Sequence, residues 1–217
     1  MNILITGTGR GIGAGLAAAF RARGDRVTGT RRTGAGPDDL PMDLRDPASI
    51  RAAATAYGAR PLDLLVCCAG VYPESRSEPL DTGYAPGLWA EGFAVNVTGA
   101  FLTVQAFLTN LRRAAAPKIA FIASQMGSSA RAPGGSYIYR ASKAAMINLG
   151  RNLAADLGPE GIALGIYHPG WVRTDMGGPG ADIGVGEAIP ALLARLDALS
   201  LSTSGTFEGW DGKPRAF

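Results

Sequence analysis

The chain has 217 residues, 47% of them hydrophobic, with a mean hydropathy of +0.10. That is long enough to bury a full core in one domain, 1–217, and too apolar for a disordered chain. The net charge of +3 comes from scattered arginines with no basic run, which argues against nucleic acid as a partner; two cysteines and one histidine make no zinc set, so no metal is expected.

In chain order, apolar runs at 2–6, 26–30, 40–43, 62–68, 118–123 and 162–167 predict strands, with a last short one near Gly205-Thr206-Phe207. Helical patterns occupy 12–23, 47–57, 87–114, 137–157 and about 187–199. No signal peptide and no long apolar span are expected, so the predicted setting is cytoplasmic, away from membranes. Most strand runs are continuously apolar, which suits a parallel sheet covered on both faces. The alternation predicts an α/β fold: a single Rossmann-type doubly wound parallel sheet of about seven strands, flanked by helices on both faces.

Between the first strand and first helix runs Thr6-Gly7-Thr8-Gly9-Arg10-Gly11-Ile12-Gly13. Glycines let a turn approach a pyrophosphate, and a helix N-terminus offers it unpaired N–H groups. Without that strand–loop–helix context the run would read as a flexible turn. The second strand ends Thr28-Gly29-Thr30-Arg31-Arg32, with no acidic residue there to hold a ribose 2′-hydroxyl. Arg31, with Arg10, instead suits the 2′-phosphate of NADP(H); the alternative is that both only face solvent. From Arg31 to Asp39 there are about nine residues, fewer than a parallel crossover needs, so a helix there is very short or missing. Asp43 is placed to reach an adenine or to cap the next helix, although Asp46 before Pro47 is the better cap.

Cys67 and Cys68 are neighbours in a strand, so they face opposite ways and read as small buried hydrophobes rather than a disulfide. Asn96 lies midway along the 87–114 pattern, where it could be a kinking residue with a local partner. Ser124 ends a buried strand, where a serine often starts a turn. Tyr139-Arg140-Ala141-Ser142-Lys143 follows the loop Ala132-Pro133-Gly134-Gly135-Ser136 and opens a long helix. Tyr139 and Lys143 share one helical face. A cation favours the ionised phenol, so the pair can give and take a proton; the plainer reading is an aromatic ring on a lysine stem. Only three lysines stand against eighteen arginines, so Lys143 suggests that a compact, deprotonatable ammonium is wanted. His168 before Pro169 reads as packed rather than catalytic. Residues 170–186, rich in Gly and Pro, follow a strand C-terminus and form a candidate lid.

Taken in order, these motifs resemble the short-chain dehydrogenases/reductases over nearly the whole chain. Thr6-Gly7-x-x-x-Gly11-Ile12-Gly13 is similar to their cofactor loop, Tyr139-x-x-x-Lys143 to their catalytic pair, and Asn96 and Ser124 fall between in matching contexts. His168-Pro169-Gly170-Trp171-Val172-Arg173-Thr174-Asp175-Met176 is similar to the segment that lines the nicotinamide. This phrase, with Ser-Gln-Met-Gly-Ser and Tyr-Arg-Ala-Ser-Lys, most resembles the C-factor and sniffer carbonyl reductase branch.

The resemblance implies hydride transfer between nicotinamide C4 and a small-molecule carbonyl/alcohol substrate. Tyr139 would handle the hydroxyl proton and Ser124 would orient the carbonyl oxygen. Lys143 would hold the ribose and draw the Tyr139 pKa down, and Asn96 would hold a water linking Lys143 to solvent. Moving a phenol from ~10 to ~7 needs roughly 4 kcal/mol, which a close lysine and an oxidised nicotinamide could supply. Cofactor contacts are implied at Gly7, Gly9, Arg10, Gly11 and Ile12, at Arg31, Asp43 and Leu44, at Ala69 and Gly70, at Tyr139 and Lys143, and at Pro169, Gly170, Val172 and Thr174. A homodimer or homotetramer is implied, although some relatives are monomers. The chain departs from the family in having Cys67-Cys68-Ala69-Gly70 where Asn-Asn-Ala-Gly is usual, at an expected cost in stability, and in its trimmed segment after Arg31. The short 170–186 segment implies an open substrate site. Two rivals are a nucleotide-binding regulatory or signalling protein on the same fold, and an epimerase or dehydratase. The full Asn/Ser/Tyr/Lys set argues against the first, and the lack of a longer C-terminal region against the second.

Overall fold

The computed structural model describes residues 1–217. Its strands are β1 (Asn2–Thr6), β2 (Arg26–Arg31), β3 (Asp39–Pro41), β4 (Leu64–Cys67), β5 (Lys118–Ile122), β6 (Ala163–His168) and β7 (Phe207–Gly209). All are parallel, in the order β3-β2-β1-β4-β5-β6-β7. The helices are α1 (Gly11–Ala22), α2 (Pro47–Tyr57), α3 (Pro86–Phe93), α4 (Gly99–Leu111), α5 (Tyr137–Leu157) and α6 (Val185–Ala198).

Successive strand residues enter opposite cores, as the pleat requires. Leu4, Leu65, Cys67, Ile119, Phe121, Leu164 and Ile166 meet α2, α4 and α5 on one face. Ile3, Ile5, Leu64, Val66, Ala120, Ile122 and Tyr167 meet α1 and α6 on the other. Cys67 lies in the first core and Cys68 packs against the second, so the two thiols point apart and stay free. Strand order reverses between β1 and β4, which opens a crevice at the strand C-termini.

Several boundaries differ from the sequence pattern. Residues 32–38 contain no helix at all. β3 is three residues long and starts at Asp39, and β7 begins at Phe207, the last residue of the expected 205–207, and runs to Gly209. The expected 87–114 helix is α3 and α4 joined by a π turn, Ala94–Thr98, centred on Asn96. A one-turn π widening inside a helix often marks a functional site. The expectation of no long apolar span also needs correction: Pro86–Leu111 is long and apolar enough, by length and composition, to cross a bilayer. Its apolar face is instead consumed by the sheet, through Ala100, Val104, Phe107 and Leu111. Asp46 caps α2, accepting from the Ala48 N–H at 2.8 Å ahead of Pro47.

Gly150 lets α5 touch the sheet. A Cβ there would lie 2.9 Å from the Ile166 side chain and 3.2 Å from Phe121. Gly150→Ala is therefore expected to destabilise the fold by about 1–3 kcal/mol, read as a lower urea midpoint at constant m-value. An unchanged midpoint would show that α5 does not lean on β5 and β6 in this way.

Candidate active site

The loop after β1 passes close under the loop after β4. Gly7 has φ +78, and a Cβ on it would lie 2.9 Å from Ala69 Cα, so only glycine fits. The Thr6 Oγ1 accepts from both the Cys68 and Ala69 N–H groups at 3.0 Å. That bridge ties β1 to the end of β4 where the family's Asn-Asn is missing. Gly9, by contrast, has only Arg31 Cδ near it, at 4.0 Å, and leaves its backbone open to the crevice.

A cleft of about 580 Å³ runs from Arg31, Arg32 and Thr33 to Tyr139 and Lys143. Fourteen of the sixteen expected cofactor residues line it, from Gly7 through Leu44, Ala69, Gly70 and Lys143 to Pro169 and Thr174. Gly170 and Val172 do not. The chain turns at Gly170 (φ +90), and both residues line a second cavity instead. Val172 also pairs with Ile183 and packs with Ala188. The second cavity, of about 290 Å³, adjoins the cleft; Tyr139, Ile12 and Thr174 line both.

Each catalytic candidate is held from outside its own element. Ser124 caps the short 3₁₀ turn Gln125–Gly127, its Oγ accepting from the Met126 N–H at 3.1 Å. One lone pair is thus occupied and the O–H is left to donate into the second cavity. A Cβ on Gly127 would lie 2.5 Å from the Lys143 carbonyl carbon, so this turn rests directly on α5. Asn96 is fully buried. Its Oδ1 accepts from the Val71 N–H at 2.8 Å, and its Nδ2 donates to the Val71 carbonyl and to Ser142 Oγ, both at 2.9 Å. Both amide hydrogens are spent, so the side chain positions the loop after β4 and α5 rather than donating to a water. Lys143 Nζ donates to the Ile122 carbonyl at 3.0 Å and lies 5.7 Å from the Tyr139 ring centroid.

Glu74 and Ser142 carried no sequence signal. Helix α5 starts after Ser136, which sits in the left-handed region (φ 50) and offers no side-chain cap. The buried Glu74 reaches in from the loop after β4, and its Oε1 accepts from the Tyr139 N–H at 2.8 Å. A carboxylate at a helix N-terminus meets both an unpaired donor and the positive end of the dipole. The Tyr72 ring lies 4.6 Å from that of Tyr139, with its hydroxyl bonded to Ser136 Oγ. The Ser142 hydroxyl donates to the Tyr139 carbonyl at 2.9 Å.

Burial dominates the electrostatics. It pushes the Tyr139 phenol up to about 12; Ser124 and Arg76 pull it down, while Tyr72 and Glu74 push it further up. Lys143, which would oppose this rise, is itself desolvated and turned to Ile122. Burial lowers Lys143 to about 8. It also raises the Cys68 thiol to about 12, so that residue is inert here. His168 is lowered to about 4, first by burial and then by Arg215. It is neutral and packed, as expected, yet it lines the second cavity.

The cofactor end needs one correction. An acid does stand beside the end of β2: β3 pairs Asp39 with Gly29. Asp39 is buried beneath Arg31, its Oδ2 2.6 Å from Arg31 Nε and its Oδ1 accepting from Thr8 Oγ1 at 3.2 Å. The Arg31 contact is off the axis of a good hydrogen bond. Arg10 is not free: Nη1 meets Asp175 Oδ2 at 2.9 Å across the cleft mouth, both side chains being largely exposed. Such a pair is worth about 0–1 kcal/mol and yields readily. The Asp43 carboxyl lines the cleft but is gripped by Arg45, which lowers it to about 2. It does not cap α2. A glycine-lined crevice with cations at one end and a phenol and ammonium at the other fits a dinucleotide.

A family model described as short chain dehydrogenase matches residues 1–183. C-signal of Myxococcus xanthus is 35% identical over 175 residues, covering 75% of this chain and 97% of that protein. D-threitol dehydrogenase of Mycolicibacterium smegmatis is 30% identical, covering 88% and 77%. Among solved structures, an NADPH-bound carbonyl reductase from chicken fatty liver superposes with a TM-score of 0.90 at 32% identity, covering 100% of this chain and 98% of that one. The carbonyl reductase Sniffer of D. melanogaster does so at 0.91 and 26%, covering 100% and 99%.

The Lys143 shift has a testable sign. Its folded pKa of about 8 lies below the ordinary lysine value of 10.5, so the folded state disfavours the charged form. The penalty is full below pH 8 and vanishes above 10.5. Lys143→Met is expected to stabilise the ligand-free protein by at most about 2–3 kcal/mol at pH 7, with the gain fading toward pH 10.5. Denaturant titrations across that range check it; a gain independent of pH would contradict the burial argument.

Proposed function

The chain belongs to the short chain dehydrogenase family, and on that premise we propose that it is an NADP(H)-dependent oxidoreductase acting on a carbonyl/alcohol pair. The observation that carries this reading is the position of Tyr139, which lines both the dinucleotide-sized cleft and the adjoining cavity that holds Ser124. When bound, the cofactor supplies or accepts the hydride at nicotinamide C4. Ser124 donates its free O–H to the carbonyl oxygen and fixes its position. Tyr139 gives that oxygen a proton in reduction and removes it in oxidation. Lys143, at the cleft floor, binds the ribose hydroxyls and keeps a cation beside the phenol. A water linking Lys143 to solvent would rest on the Asn96 main chain, since the side chain is committed.

The high phenol pKa has a direction. At pH 7 a phenol near 12 carries its proton, the form that carbonyl reduction needs. Alcohol oxidation needs the phenolate and should speed up with rising pH. The NADP(H) preference is supported by Arg31, which lines the cleft while its buried partner Asp39 does not, and by the NADPH in the chicken carbonyl reductase structure. We place the activity in a single domain spanning 1–217.

A second reading keeps the cofactor but not the turnover: a nicotinamide-binding signalling protein, favoured by the similarity to C-signal. NADPH binding without turnover of any carbonyl compound would select it.

Tyr139→Phe is expected to lower kcat by about 10²-fold or more while NADPH affinity, measured by fluorescence titration, stays near the wild-type value. Full activity in that variant would end the mechanism. Arg31→Ala is expected to weaken NADPH binding about tenfold or more and NADH binding little. An unchanged NADPH/NADH ratio would remove Arg31 from cofactor choice.

A further inference from the structure

The second cavity contains more than Ser124 and Tyr139. Its one cation is Arg76, which reaches in from the loop after β4. The guanidinium carbon lies 5.1 Å from the Tyr72 ring centroid and 5.9 Å from that of Trp171, so two aromatic rings hold it in place. Its Nη2 donates to the Met176 carbonyl at 3.2 Å, which joins this loop to the 170–186 segment.

That bond uses one of five N–H donors. Arg76 takes part in none of the chain's ion pairs. The cavity's only carboxylate, on exposed Asp182, is not paired with it. A flat fork with free donors matches a carboxylate in shape and charge. The cavity holds a further unsatisfied group: His168 is 5% exposed, neutral, and its Nδ1 has no partner.

The distances set a scale. Tyr72 lies between Arg76 and Tyr139, 4.6 Å from the Tyr139 ring, so the guanidinium carbon is within about 10 Å of that ring. A volume of about 290 Å³ admits a small ligand only.

We propose that the substrate is a small oxo acid, its carboxylate bound by the Arg76 fork while its carbonyl oxygen meets Ser124 and Tyr139. In reduction the carbonyl carbon takes hydride from NADPH and the oxygen takes the Tyr139 proton. The products are a hydroxy acid and NADP⁺, the carboxylate is unchanged, and the Tyr139 phenolate takes a proton back from solvent. This assignment rests on the oxidoreductase reading above and narrows its substrate class.

The test compares 4-carboxybenzaldehyde with its neutral methyl ester, with NADPH at pH 7, in wild type, Arg76→Met and Arg76→Lys. Wild type should favour the acid about tenfold or more in kcat/KM, mainly through KM. Arg76→Met should erase the preference and Arg76→Lys keep part of it. Any general effect of Arg76 on the phenol cancels in the acid/ester ratio. Equal use of acid and ester by wild type, or a preference that survives Arg76→Met, overturns the proposal and leaves the oxidoreductase reading standing. Calorimetric titration of the NADP⁺-loaded protein with benzoate and benzamide reads the site without turnover. If no aldehyde is reduced, the oxidoreductase reading falls; tighter binding of benzoate that needs Arg76 then keeps the anion site, and equal binding overturns it.

Discussion

The first two turns of α5 are held from three sides, and the candidate site depends on that grip. Glu74 accepts from the Tyr139 N–H, Asn96 Nδ2 donates to Ser142 Oγ, and Lys143 Nζ donates a hydrogen bond to the Ile122 carbonyl. Gly127 removes the side chain that would otherwise separate the Ser124 turn from the helix. These contacts link the β4 loop, the π turn and the end of β5 to one short stretch of helix. Ser124 can therefore converge with Tyr139 and Lys143 although it sits outside α5. Polar groups buried this way are expensive unless paired, so the pairing fixes one geometry.

The same burial gives the site its chemistry. Desolvation drives the phenol up and the ammonium down, so at pH 7 the phenol holds its proton while Lys143, at about 8, still carries its charge. Arg76 works against this at the substrate side, as an exposed cation whose charge lowers the phenol. The second cavity thus has a positive wall and a neutral histidine, while Glu74 is turned toward the helix backbone.

At the far end of the cleft the logic is different. Arg31 and Asp39 form a half-buried pair anchored by Thr8, whereas Arg10 and Asp175 meet in solvent across the cleft mouth. The first pair is part of the scaffold. The second is weak enough to open and reclose as a ligand passes. Thr6, by bridging two amides at the end of β4, takes up a structural duty that Cys67 and Cys68 cannot perform.

Local patterns were enough to read the architecture. Continuous apolar strands, the glycine loop and the Tyr139/Lys143 spacing depend on period and on neighbours in sequence, and they gave the parallel doubly wound sheet and most of the cleft lining. Fourteen of the expected cofactor residues line the cleft because strand C-termini and the loops after them share one edge. What stayed hidden were contacts between distant segments. Glu74 meets Tyr139 across 65 residues, and Asp39 meets Arg31 only because β3 pairs with β2 in one register. Gly170 and Val172 leave the cleft because of a turn made by a positive φ, which composition does not specify. The sequence by itself determined the fold, the family and the shared helical face of Tyr139 and Lys143, since periodicity and motif spacing carry them. The tertiary structure alone decided which charges are masked, which donors are spent and which cation lines the second cavity, because these depend on burial and on partners brought together only by folding.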